Sequence, residues 1–124
     1  MANNLFSKTF IAGAAIAAYR IVKPGSDDDH VVQGAAASDY LIGVADNLGA
    51  GTGERVGIVF SGIAEVEFAG VVTRGQFVTA DSNGKGVNAG PAAGTNNRII
   101  GIALNTTAAG DIAPVLLTQG SVQG

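Results

Sequence analysis

The sequence contains no cysteine, and that absence removes thiol catalysis, disulfide bridges and Cys-based zinc sites together. Histidine is nearly absent: a His-based triad has one possible base, His30, and no G-x-S-x-G elbow accompanies it. Charge is scarce, at 14% of residues against a usual ~25%. A chain so poor in charge cannot cover itself generously, so part of its apolar surface is expected to be buried against other subunits. Lys and Arg number 7 against 10 Asp and Glu, giving a net charge of −3. The basic residues are scattered, which argues against a phosphate-neutralising groove and a nucleic-acid partner. Long hydrophobic runs are missing too. The stretch Phe10–Ala18 is far too short to span a membrane, and no membrane partner is expected. With Lys8 before it and an Ala-x-Ala pattern within it, the stretch imitates a secretory leader; it reads better as part of the mature protein. No segment carries a sustained helical stripe.

What the chain has is glycine, 19 of 124 residues, about twice the usual ~7%, placed between short apolar, β-branched runs. Tyr19–Val22, His30–Gln33, Tyr40–Ala45, Arg55–Phe60, Ala64–Phe68, Gln76–Ala80, Val87–Ala89, Arg98–Leu104 and Ile112–Thr118 read as strands. Pro24–Asp29, Ser61–Gly62 and Asp81–Gly86 read as turns, and Asn83-Gly84 is the strongest hairpin signal. Ala64, Val66 and Phe68 alternate with Glu65 and Glu67, as in a half-buried antiparallel strand. Short strands with turns every 8–12 residues predict one all-β domain, a barrel or sandwich-like body.

The body is written twice. Leu41-Ile42-Gly43-Val44-Ala45 returns as Ile99-Ile100-Gly101-Ile102-Ala103, and at that spacing residues 41–62 lie over 99–120 with six identities. Two related halves are therefore expected, with Gly43 and Gly101 marking a bulge, a bend or the close approach of another backbone.

Reactive constellations are few. Asp27-Asp28-Asp29-His30 holds metal-ligand residue types but sits in a Pro-Gly-Ser turn without EF-hand spacing, so a solvated turn is the better reading. Gly49–Gly53 lacks the Gly-Lys-Ser/Thr ending of a phosphate loop and leads into a strand. Glu65 and Glu67 share one strand face, which reads as a solvated polar face more readily than an acid/base pair. No enzyme, cofactor or metal site is expected.

Residues 1–12 carry large apolar groups without a clean period. Ordering ~10 residues costs on the order of 10–20 kcal/mol of backbone entropy, whereas burying Leu5, Phe6, Phe10 and Ile11 returns about 6–12 kcal/mol. An arm that adds hydrogen bonds to a sheet edge does better. Two readings stay open, an extended arm reaching a neighbour or the first strand of the barrel.

Lys8–Ile16, Leu41–Ala45, Phe60–Val66, Thr73–Asp81, Gly84–Val87 and Ile99–Ala103, taken in order over nearly the whole chain, resemble the capsid decoration (cement) proteins of tailed bacteriophages. The resemblance implies a virion structural protein on the outer face of the head, stabilising contacts between major capsid protein subunits. It implies a homo-oligomer, a trimer favoured, and brings no catalytic residues. The chain is then divided into an extended, partner-contacting arm, 1–12, and a single β domain, 13–124. Asn3, Leu5, Phe6, Thr9, Phe10 and Ile11 are the candidate capsid or inter-subunit contacts. A tail-tube or adhesin-type module, and less so a small ligand-binding β-barrel, are the alternatives.

Overall fold

The computed structural model describes residues 3–124, with side chains from Phe6 onward, and among the described residues the fold is all-β. The strands are β1 (Asn3–Ala12), β2 (Ile21–Pro24), β3 (His30–Gln33), β4 (Gly43–Ala45), β5 (Arg55–Glu67), β6 (Phe77–Ala80), β7 (Gly86–Asn88), β8 (Asn96–Ala103) and β9 (Ile112–Gln123). Their order is β1-β3-β2-β4-β5-β9-β8-β6-β7, and a further β1–β5 pairing closes the first five into a barrel. Of the two places open to it, β1 takes one within the chain, antiparallel along β5 from Asn3↔Ile63 to Ile11↔Arg55.

Arg55–Glu67 is one strand, where the sequence pattern predicts two strands and a turn. Gly62 takes φ 88, and the β1–β5 register shifts on either side of Phe6. A left-handed glycine here inserts a bulge instead of reversing the chain. The bulge lets one strand serve two cores: Val56 and Ile58 face the first, Ala64 and Val66 the second.

The two halves repeat their pairing almost residue for residue. Ile21↔Val44 returns as Phe77↔Ile102, Ala45↔Ile58 as Ala103↔Val115, and Phe10↔Val56 as Val66↔Ala113. The parallel contact Ala12↔Val31 returns as the single bridge Phe68↔Gly86. β5 is thus the last strand of the first half and the first of the second. Between β4 and β8 the spacing is 101 − 43 = 58 residues; between β5 and β9 it is 115 − 58 = 57, because the loop leaving β8 is one residue shorter.

Gly43 and Gly101 resolve as close approach. A Cβ on Gly43 would stand 2.6 Å from the Val59 carbonyl oxygen and 2.6 Å from Ile58 Cγ2, and one on Gly101 would strike the Leu116 carbonyl. The cores conserve volume by trading it. The first packs Ala12, Val31 and Val56 where the second has Phe68, Gly86 and Ala113. The fully buried Phe68 ring fits because a Cβ on Gly86 would lie 2.9 Å from its edge.

Candidate functional site

The six residues nominated from the sequence lie along β1, and the strand's alternation splits them. Phe6 and Phe10 gather about Phe60 of β5, with ring centroids 5.8 and 5.7 Å apart, the second pair edge-on. Phe6 is 61% exposed, and the Lys8 ammonium stands 5.0 Å over the Phe10 ring. On the other side, Thr9 and Ile11 border a shallow cleft of about 280 Å³ with Asp29 and Arg55; Phe10 also borders it. The side chains of Asn3 and Leu5 lie outside the described residues.

The acid-rich turn is a self-contained device. Asp27 Oδ1 lies 2.5 Å from His30 Nδ1 and accepts a hydrogen bond from the Asp29 amide. The His30 contact first, then that amide, hold the Asp27 carboxyl below its ordinary range. Both groups lie at the surface, and among the described residues no cluster of three or more His, Asp or Glu could hold a metal ion.

Glu65 and Glu67 are half-buried, not the open polar face the alternation implies, because the second half's hairpin folds back over the first. Glu67 accepts ion pairs from Arg20 and Lys85, each at 3.4 Å. Arg20 and Gln33 both donate to the Asn83 carbonyl, and the Ile21 amide donates to Gly84. This network joins the halves. Glu65 borders a half-open cleft of about 480 Å³ with Tyr19, Asp46 and Asn47 at the same join. Tyr19 there holds φ 63, whereas its counterpart in the second half is Gly75 at φ 92.

The second half carries an apolar row on its outside that the sequence pattern alone does not single out. Phe77, Ile102, Leu116 and Ile63 are successive cross-strand partners on β6, β8, β9 and β5, so they share one face. Phe77 is 40% and Leu116 42% exposed, with Leu104 and Ile112 also exposed on the same half. The signal was present in the alternation Ile112, Pro114, Leu116 against Ala113, Val115, Leu117. Which of those two faces is covered is decided by tertiary packing.

What this surface offers is apolar strand face and ring edges. No curated protein matches the chain. Among solved structures, the crystal structure of the head fiber gp8.5 N base in bacteriophage phi29 is similar in fold, with a TM-score of 0.71 at 17% identity, covering 96% of this chain and 98% of that one. A family model for phage cement proteins matches residues 3–118. Matched over nearly its whole length, the chain belongs to the phage cement protein family, structural components of the phage virion.

Proposed function

We propose that this protein binds the outer surface of a phage capsid and stabilises contacts between major capsid protein subunits, as a homo-oligomer with a trimer favoured. The family match over residues 3–118 carries the reading. The chemistry of the surface supports it: a charge-poor chain with exposed apolar groups on both halves is built to be covered by protein. Residues 1–12 act as the contacting element and 13–124 as the body, with Asn3, Leu5, Phe6, Thr9, Phe10 and Ile11 among the capsid or inter-subunit contacts. The capsid-facing part is the Thr9/Ile11 side of β1, beside Arg55 and Asp29.

Co-sedimentation with expanded, DNA-free heads of the source phage tests this. Wild-type protein is expected to pellet with the heads and to appear outside the shell in a reconstruction, and Thr9→Asp to lower occupancy while leaving the thermal midpoint unchanged. Wild-type protein that stays in the supernatant overturns the capsid reading. Full occupancy by Thr9→Asp overturns this placement of the contact.

A further inference from the structure

The two halves use their equivalent outer rows differently. In the first half the row is Ile21, Val44 and Val59, cross-strand partners on β2, β4 and β5. These residues are no more than 8% exposed, in one cluster with Ala64, Val66, Ala80, Ile100 and Leu117 of the second half. The row of one half therefore seats on one end of the next. The Gly34 backbone at the edge of this contact comes within reach of Ala80, a virtual Cβ lying 3.2 Å from the Ala80 methyl.

By the same equivalences, that end of the second half corresponds in the first half to Lys8, Phe10, Pro24, Ile42 and Phe60. Among the described residues no equivalent row seats on them, and Gln119 of β9 reaches only the Ile42 and Phe60 carbonyls. Phe10, Ile42 and Phe60 are only partly buried, and Phe6 beside them stands exposed. Each half thus carries a row and an end. One row and one end cover each other inside the molecule; the second half's row and the first half's end are left over, the row apolar and the end apolar but for Lys8, whose ammonium stands over the Phe10 ring.

We propose that a second copy of this chain supplies the missing contact, head to tail: the Phe77–Ile102–Leu116 row of one copy seats on the Phe6/Phe10/Phe60 end of the next. The contact continues between molecules the one already made within each. It rests on the homo-oligomeric part of the proposed function and is independent of the capsid. Because the two surfaces differ, the interface is heterologous, and copies related by it close into a ring when the rotation per copy allows. The end left open is the more aromatic of the two, the composition that carries most of the binding energy in protein interfaces.

Sedimentation equilibrium of the purified full chain, without capsids, reads this directly. Wild-type protein is expected to self-associate, and Leu116→Lys and Phe6→Glu each to weaken association by at least about 100-fold, with far-UV circular dichroism unchanged because both positions are exposed. Phe77→Lys repeats the first test on the same row if Leu116→Lys fails to fold. Mixing Leu116→Lys with Phe6→Glu leaves one intact row and one intact end, on different molecules, so the mixture is expected to form a one-to-one dimer that neither variant forms alone. A monomeric wild-type chain, association untouched by the row variants, or a mixture that stays monomeric overturns the proposal. Capsid occupancy is read separately, so a chain that assembles head to tail yet ignores heads would sink the capsid reading and leave this one standing.

Discussion

Ile21, Val44 and Val59 in the first half, and Phe77, Ile102 and Leu116 in the second, hold the same places in the same pairing. The first set is buried; the second leaves Phe77 and Leu116 about two-fifths exposed. Local sequence is not what separates them, since all six are apolar residues on short strands. Position in the array is. A repeated unit that buries one face on its neighbour leaves the terminal unit's face open, the situation of every end repeat in a stacked fold. The second half has no polar capping substitution on that face, whereas an end meant for water normally acquires one.

The largest expected effects come from the cores, where the halves traded volume. Phe68→Ala empties the site that Gly86 and Ala113 make room for and is expected to cost about 3–5 kcal/mol in urea unfolding. Gly86→Val, alone, drives a branched side chain into the ring and is expected to cost at least ~1–3 kcal/mol. Because the first half packs Ala12 against Val31, the double variant Phe68→Ala/Gly86→Val imitates that half and is expected to recover much of the loss. A double variant no more stable than Phe68→Ala alone would show that the two cores are not interchangeable solutions.

Next in size, the outer rows are compared by equal truncation. Ile21→Ala removes a fully buried side chain and is expected to cost about 2–5 kcal/mol. Phe77→Ala, at the equivalent place, is expected to cost under about 1 kcal/mol in the isolated monomer. The measurement is the shift in urea midpoint for the two variants at a concentration where both are monomeric. Similar losses at the two positions would mean that the second row is covered within the chain.

A smaller effect separates the left-handed positions. Gly75 at φ 92 and Tyr19 at φ 63 occupy equivalent corners, their amides donating to Ala103 and Asp46 carbonyls. Gly75→Ala is expected to cost about 1–2 kcal/mol, the penalty of a Cβ in that region. The first half accepts that strain in placing the Tyr19 ring at the cleft between the halves. An unchanged thermal midpoint for Gly75→Ala would show that the corner relaxes.

Much of this was legible in the sequence, and the reasons differ by element. The Asn83-Gly84 hairpin and the Ala64/Val66/Phe68 alternation depend on local chemistry, and both are present as read. The two related halves were visible because Gly43 and Gly101 are each forced by a carbonyl of the following strand. The continuity of β5 was not visible: Ser61-Gly62 is a good turn in isolation, and only pairing with β1 on one side and β9 on the other turns it into a bulge. Nor was the open row on β6, β8 and β9, because a repeat announces which faces are equivalent and not which one lies at the end of the stack. Of the nominated contacts, Phe6 and Phe10 meet at one aromatic cluster, and Thr9 and Ile11 lie across the strand from it.

The smallest effect tests why the loops after the third and seventh strands differ. Asp39 accepts a hydrogen bond from the Ala35 amide at 2.8 Å and pairs with Lys23 at 3.0 Å, tying down the segment between β3 and β4. The shorter loop between β7 and β8, residues 89–95, contains no acidic residue and is tied instead to Gly124 through Gly94 and Thr95. Burial pushes the Asp39 carboxyl up, but the Ala35 amide and the Lys23 ammonium outweigh it, and the group titrates below its ordinary value. A carboxyl depressed in the folded state stabilises the fold above the unfolded value, ~3.9, and that contribution is lost as pH falls through this value toward the folded one. Asp39→Asn is therefore expected to cost about 0.5–1 kcal/mol at neutral pH and progressively less below pH ~4, so that urea midpoints of the variant and the wild type converge in acid. A gap that persists undiminished at low pH would assign the loop's order to packing of Tyr40 beneath Arg98, 4.4 Å from ring centre to guanidinium, instead of to the carboxylate.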